Sequence, residues 1–402
     1  MKNVLFDLAA TQPISGNKYH GGSEYAKTLF LKLCGTLFSF NVNLEIFYDP
    51  QRDIEKSILM LCKTNKIVIN TCSDNDEISK LLYEKHFNIF YSALPYKYID
   101  ISIPEKTKFI YTIHGLRELE YPVDHYEAKY KKNGLKSLIK QCISFLFLSR
   151  LKQYKVRRTI NDFEKLFSIT KNQNIITISR HSKYAIDYFF PKIIKSNVDV
   201  FYSPAKISCL NEDNASNVFK SLSVEPGKYI LLIGGNRFIK GAWRACKILY
   251  HVLHNYDQIP SDIKVLVLGV SHKKAYQKIT KNNCRFVFED YVSSEDLEII
   301  YKNAFLFLYP TLNEGFGYPP LEAMKYGIPC ACSANSAITE ICGDAVLYFN
   351  PLDAIEMSIR ILQSFDKNIR QEIQQKGVLR FKYVYEKQKQ DLNLLIRKIA
   401  CI

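Results

Sequence analysis

A chain of 402 residues is too long for one ordinary core and suits two domains of about 200 residues each. Its 47% hydrophobic and 24% charged residues place it among ordinary globular proteins, and its eleven cysteines include no C-x-x-C pair, which argues against a disulfide framework and for buried thiols in a reducing compartment. The formal charge of +15 favours polyanionic partners (nucleic acid, an anionic membrane surface or phosphorylated substrates) without choosing among them.

Met1-Lys2-Asn3 leads directly into a strand-like run, Val4-Leu5-Phe6, that ends at Asp7. This is not the pattern of a secretory leader, so a cytoplasmic location is expected. Short apolar runs then alternate with stretches of helical period: a helix over Glu24 to Phe38, then Leu44 to Tyr48, Ile67 to Ile69, and Phe109 to Ile113. Alternation of this kind predicts β-α-β units and a parallel sheet. Asp74-Asn75-Asp76 spells a D-x-D but sits where a helix would start, and it is read as a helix cap.

Between Ala128 and Asn161 there is no acidic residue. Lys129, Lys131, Lys132, Lys136, Lys140, Arg150, Lys152, Lys155, Arg157 and Arg158 flank the apolar run Ile143 to Leu148. The segment is too short and too charged to span a bilayer. It fits either an interfacial helix on an anionic surface or a core helix with a solvated basic face.

Ser203 to Gly227, with Pro204, Asn211-Glu212-Asp213-Asn214 and Pro226-Gly227, is poor in apolar periodicity and reads as a connection. A second α/β series follows: Tyr229 to Ile233, a helix from Ala242 to about His254, Val265 to Leu268, Arg285 to Phe288, a helix near Glu295 to Lys302, and Phe305 to Tyr309. The expected domains are 1–205, 206–378 and a charged helical tail over 379–402 packing back toward the first domain.

Three junctions in these series carry candidate chemistry. Ile233-Gly234-Gly235-Asn236-Arg237-Phe238-Ile239-Lys240-Gly241 joins a strand to a helix, and cations on such a turn can neutralise a diphosphate. Thr112-Ile113-His114-Gly115 ends a strand on the side where open α/β sheets bind ligands. Leu306 to Met324 runs from a buried strand through a loop with two glycines, Gly315 and Gly317, into a helix opened by Pro319 and Pro320. Glycines admit close backbone approach, a helix start favours an anion, and Glu314 and Glu322 can each take two hydroxyls of a sugar ring. Their separation in sequence suits a long polar ligand better than a carboxylate pair across one bond.

Glu314-Gly315-Phe316-Gly317-Tyr318-Pro319-Pro320-Leu321-Glu322-Ala323-Met324 closely resembles the Glu-x7-Glu signature of retaining glycosyltransferase family 4, written E-G-F-G-L-P-x-L-E-A-M-A-x-G-x-P, with Tyr318 for the usual Leu and Lys325 for the usual Ala. The likeness extends through Tyr291-Val292, Leu297, Tyr301-Lys302-Asn303-Ala304, Ser333 to Glu340, Gly343-Asp344-Ala345 and Asn350-Pro351, and the flanks look most like mannosyltransferase-type members.

The resemblance implies an α/β fold of GT-B type, with two Rossmann-like domains facing across a central cleft. By position it makes Glu314 the contact to the donor sugar, Glu322 the contact to the nucleotide ribose, and Gly315, Phe316, Gly317 and Tyr318 the source of backbone amides. Lys240 and Arg237 would meet the diphosphate. His20-Gly21-Gly22-Ser23-Glu24 is similar to the family's glycine-rich loop, which puts Gly21 and Gly22 against the same diphosphate, and His114 would lie near the reacting sugar. Glu314, His114 and Lys240 are thus the expected catalytic residues.

The implied activity is retaining transfer of a hexosyl unit from a nucleoside diphosphate sugar to a glycan acceptor, lipid-linked by family habit, in surface polysaccharide or lipopolysaccharide synthesis. No metal or other cofactor and no nucleic-acid partner is expected, and the enzyme would be cytoplasmic and peripheral on the inner membrane face through 128–161. The alternative is a noncatalytic sugar-nucleotide-binding subunit of a polysaccharide assembly complex.

Overall fold

The computed structural model describes residues 2–13, 21–124, 126–127, 148–191, 198–205 and 215–401. Residues 128–147 of the basic segment and His20 lie outside these. Within the described residues the chain forms two compact units. Met1–Leu119, Val156–Lys206 and Glu386–Ile402 make the first; Glu120–Lys155 and Ile207–Tyr385 make the second.

The first unit is built on seven strands: β1 (Lys2–Asp7), β2 (Val42–Tyr48), β3 (Val68–Thr71), β4 (Ile89–Ser92), β5 (Lys108–Ile113), β6 (Gln173–Thr177) and β7 (Asp199–Val200). Their order is β3-β2-β1-β4-β5-β6-β7 and every pairing is parallel. Central strands covered on both faces need continuous apolar runs rather than alternation. Val4-Leu5-Phe6, Ile89-Phe90-Tyr91 and Phe109-Ile110-Tyr111 supply them, each fully enclosed. The Phe90 and Phe109 rings stack at 4.9 Å where β4 and β5 pair.

The first helix runs Gly21–Cys34, earlier than Glu24 to Phe38, so the glycine pair begins the helix rather than preceding it. Asp74 caps the helix Asn75–Lys85 by accepting the Glu77 amide at 2.9 Å. Of the basic segment, the described part opens the helix Leu148–Ser168. Val156 and Ile160 pack against the core there, while Lys152, Tyr154, Arg157 and Arg158 stay exposed.

The second unit repeats the plan with β8 (Tyr229–Leu232), β9 (Lys264–Leu268), β10 (Phe286–Glu289), β11 (Leu306–Tyr309), β12 (Cys330–Ser333) and β13 (Leu347–Phe349), ordered β10-β9-β8-β11-β12-β13 and all parallel. The helix Ala242–Asn255 buries Ala242, Ala245, Cys246, Leu249 and Leu253, a helical stripe on the core that also holds Ile230, Leu232 and Leu308. Cys330 and Cys332 are both fully buried within β12. No helix among the described residues is long and apolar enough to cross a membrane.

Three boundaries differ from the sequence reading. Glu120–Lys155 groups with the second unit rather than with 1–205, because Asp124 meets the Arg244 guanidinium at 2.5 Å and accepts the Tyr121 hydroxyl at 2.9 Å, while Tyr126 packs on Trp243 with ring centroids 4.8 Å apart. The stretch read as a connection folds from Ala215 to Leu222 into a helix that buries Val218, Phe219 and Leu222. The final helix spans Lys367–Cys401 and crosses the boundary drawn at 379. Its residues through Tyr385 belong to the second unit, where Arg370 donates to the Phe305 carbonyl at 2.6 Å; those from Glu386 belong to the first, where Asp391 accepts the Tyr202 amide at 2.8 Å.

Candidate active site

In the second sheet the chain lays β9 and β10 on one side of β8 and then returns to place β11 on the other. The loops leaving β8 and β11 therefore diverge at the carboxyl edge, and such a switch point is where open parallel sheets leave a crevice for ligands. Both motif-bearing segments, Gly234 to Gly241 and Pro310 to Gly317, leave from this point.

The β8 loop curls into a tight turn over Phe238–Lys240, with the Lys240 amide donating to the Arg237 carbonyl at 2.9 Å. Gly241 ends the turn at φ 69°, and a Cβ there would lie 2.0 Å from the Pro310 carbonyl oxygen, so only glycine fits. The Leu312 amide donates to the Ile239 carbonyl at 2.7 Å, which ties the two loops together.

This curl carries the Lys240 side chain inward. Lys240 and Glu314 are each 7% exposed, and Lys240 Nζ lies 2.5 Å from Glu314 Oε1. The same oxygen accepts the Tyr309 hydroxyl at 2.6 Å and the Thr311 hydroxyl at 3.0 Å, and Lys240 Nζ also donates to the Tyr309 hydroxyl at 2.5 Å. A charge taken out of water is tolerated only when paired and hydrogen-bonded, and three donors on one carboxylate oxygen meet that demand. Burial first, then the Glu314 charge, hold the Tyr309 hydroxyl well above the ordinary tyrosine pKa, so it remains a neutral donor. Arg237 is exposed, yet its charge reaches Tyr309 and acts in the opposite sense.

The Glu314 backbone is equally constrained. Its amide donates to Ser336 Oγ at 2.8 Å, and Asn335 Nδ2 donates to the Thr311 and Leu312 carbonyls, both at 3.1 Å. Gly317, at φ 121°, caps the helix Tyr318–Lys325. Pro319 and Pro320 carry no N–H, so amides for an anion must come from Gly315 to Tyr318 rather than from deeper in the first turn. Glu322 is half-buried on this helix, and the hydroxyl of Tyr301 lies against its carboxylate.

The first unit has a switch point of its own, between β1 and β4. Asp7 ends β1 and is fully buried; it accepts the Ser92 hydroxyl at 2.7 Å and the Ala10 amide at 3.2 Å. Burial outweighs these bonds and raises its pKa to about 6. His114 follows β5, with Nε2 2.9 Å from the Ala93 carbonyl and its ring edge-on to Tyr25 at 4.7 Å. Tyr25 belongs to the helix that starts at Gly21, so Gly21, Gly22 and His114 share one side of the first unit. A Cβ at Gly21 would meet nothing within 4 Å among the described residues, so packing does not explain the glycine.

The structure thus brings Lys240 and Glu314 into direct contact, sets Arg237 nearby, and places Gly315 to Tyr318 and Glu322 on the same loop and helix. The sequence reading did not single out Tyr309, Thr311, Tyr301 or Asp7 as site residues. Each reads as core or as a strand end until its through-space partner is known.

Residues 214–377 match the model of the family described as glycosyl transferases group 1. An 83-residue stretch is 45% identical to O-antigen chain mannosyltransferase B of Escherichia coli, covering 21% of this chain and 22% of that protein. The chain is 26% identical to O-antigen chain mannosyltransferase RfbU of Salmonella typhimurium over 65% of its own length and 60% of the relative's. It therefore spans less than two thirds of either relative. Among solved structures, a glycosyltransferase from Rickettsia africae superposes with a TM-score of 0.62 at 12% identity, covering 100% of this chain and 99% of that one. Anabaena Alr3699/HepE, solved in complex with UDP and glucose, gives 0.59 at 14% identity over 98% and 99%. At such identities the likeness is one of fold, and the fold is GT-B.

Proposed function

We propose that this chain is a retaining glycosyltransferase that moves a hexosyl unit from a nucleoside diphosphate sugar to a glycan acceptor in the synthesis of a surface polysaccharide. The observation that carries the reading is the buried Lys240–Glu314 pair at the switch point of the second sheet, beside the glycine loop and Glu322. Support comes also from the family match over 214–377 and from relatives named as O-antigen mannosyltransferases, which make mannose the first sugar to try.

In this reading the second unit holds the donor. Glu322 takes the ribose diol, Glu314 takes hydroxyls of the sugar, and the amides of Gly315 to Tyr318 take diphosphate oxygens. The bond from the anomeric carbon to the diphosphate breaks while a bond to the acceptor oxygen forms on the same face, and the acceptor proton passes to the departing diphosphate oxygen. No side-chain nucleophile is needed; the demand is for positive charge where negative charge collects, which falls to Lys240 and Arg237. That assignment leaves no task for a metal, and activity is expected to survive EDTA.

Acceptor recognition is assigned to the first unit; for Gly21 and Gly22 the family resemblance implies contact with the donor diphosphate, and for His114 a place near the reacting sugar. A lipid-linked acceptor at an anionic membrane surface fits the basic segment 128–161, whose described cations stand exposed on the helix Leu148–Ser168.

The test is incubation of the purified chain with nucleoside diphosphate mannose and with the corresponding glucose donors, with and without EDTA, followed by NMR of the product's anomeric centre. Retained configuration in a metal-free reaction is expected. An inverted product would overturn the mechanism, and dependence on added metal would overturn the role given to Lys240.

A further inference from the structure

Tyr301 closes the helix Ser294–Lys302 with its side chain pointing into the interior of the second unit. It is 1% exposed, and its ring packs against Phe307 of β11 at 5.4 Å. Nothing in this packing needs a hydroxyl. The hydroxyl oxygen is nevertheless there, buried, and among the described residues it has no hydrogen-bond partner of acceptable geometry. Buried hydroxyls are rarely left so, because the group gives up water and gains nothing in return.

The acceptor alongside it is the Glu322 carboxylate. Burial first, then the Glu322 charge, hold the Tyr301 hydroxyl well above the ordinary tyrosine pKa, so it keeps its proton and can only offer it. The two groups are neighbours, and their contact falls short of a well-formed bond.

We propose that Tyr301 is a positioning residue for nucleotide binding: its hydroxyl donates to one oxygen of Glu322 and so fixes the plane of the carboxylate for the ribose diol. This rests on the reading of Glu322 as the ribose contact. The bond forms when the nucleoside engages Glu322, and the hydroxyl is satisfied only in the bound state. A hydrogen bond to one carboxylate oxygen fixes the plane in which the group presents its remaining lone pairs to a further donor, as outer partners do for ligating carboxylates.

Tyr301→Phe removes the hydroxyl and keeps the ring. Because the hydroxyl lacks a partner in the free protein, the variant is expected to fold with a Tm equal to or above that of the wild type. GDP, UDP and inorganic pyrophosphate are then titrated calorimetrically into the wild type, Tyr301→Phe, Glu322→Gln and the double variant. For whichever nucleotide binds the wild type better, Tyr301→Phe should weaken Kd about tenfold, the worth of one hydrogen bond to a charged group. Pyrophosphate, which has no ribose, should bind it within about twofold of the wild type, and adding Tyr301→Phe to Glu322→Gln should cost less than about twofold more. Sugar transfer by Tyr301→Phe should show a raised donor KM with kcat little changed.

Wild-type nucleotide affinity in Tyr301→Phe, with affinity lost in Glu322→Gln, would overturn the role of Tyr301 alone. Additive losses in the double variant, or an equal loss for pyrophosphate, would show general loosening and overturn it too. If Glu322→Gln binds as the wild type does, or the wild type binds neither nucleotide, the ribose reading falls and this proposal falls with it.

Discussion

Lys240 and Glu314 are 74 residues apart in sequence and 2.5 Å apart in space, both nearly sealed from water at the carboxyl edge of the second sheet. Desolvating two charges is costly, and breaking such a pair from one side leaves an uncompensated buried charge worth about 3–5 kcal/mol. Lys240→Met should therefore destabilise the chain by roughly that amount, toward the lower end because Tyr309 and Thr311 still donate to Glu314. The double variant Lys240→Met, Glu314→Gln should recover much of the loss. Urea unfolding of both variants checks this, and additive destabilisation would show that the pair is not coupled.

Gly241→Ala tests the tie between the two loops. The added methyl would sit 2.0 Å from the Pro310 carbonyl oxygen at a backbone φ of 69°. A cost of at least about 1–3 kcal/mol is expected from backbone strain alone. The displaced turn should also carry Lys240 out of register with Glu314, so donor binding should fall together with stability. Gly227→Ala, also at positive φ but with open space around it, serves as the control for strain without collision.

Much of the second unit's site was legible in the sequence because glycine spacing and a pair of glutamates on a strand-loop-helix pattern are local features. Lys240, Glu314 and the helix start are all singled out by such features. Tyr309 and Tyr301 are not, since a tyrosine in or beside a buried strand looks like packing, and only the fold shows that one hydroxyl donates to Glu314 and the other lies beside Glu322 without a formed bond. The helix Ala215–Leu222 was missed because its apolar residues span barely two turns inside a polar stretch. The placement of Glu120–Lys155 depends on the contact between Asp124 and Arg244, 120 residues apart in sequence and invisible in either segment alone.

That contact gives a third prediction. Asp124 is 6% exposed, and beyond Arg244 it accepts the Tyr121 hydroxyl at 2.9 Å and the Tyr126 amide at 2.6 Å. One guanidinium nitrogen of Arg244, Nη1, is already buried without a hydrogen-bond partner among the described residues. Asp124→Ala should therefore cost about 3–5 kcal/mol. It should also free the chain around residue 120 to protease, measurable as a new cleavage site; unchanged proteolysis would contradict the account.

Asp7 sets a pH dependence of stability. Its pKa is about 6 in the folded chain because it is buried, against an ordinary 3.8. Between these values the folded state keeps a proton that the unfolded state has released. The contribution is therefore fully present below about pH 4 and is lost as pH rises through about 6, up to about 3 kcal/mol for a shift of this size. In Asp7→Asn that fall should be absent. Denaturant midpoints of both proteins at pH 4 and pH 7.5 check it, and parallel behaviour of the two would refute the buried-carboxyl account.

The central claim is that the strand-end site of the second unit holds a nucleoside diphosphate sugar, and a thermal-shift panel tests it most directly. Mannose and glucose donors with guanosine and uridine diphosphates, alongside the free sugars and sugar 1-phosphates, are added at a saturating excess. At about 100 times Kd a ligand that binds only the folded state adds about 2.7 kcal/mol, enough to raise Tm by several degrees. The account predicts such a rise with at least one nucleotide sugar, none with the free sugars, and its loss in Glu322→Ala. A panel in which no nucleotide sugar moves Tm, or in which Glu322→Ala responds as fully as the wild type, would contradict it.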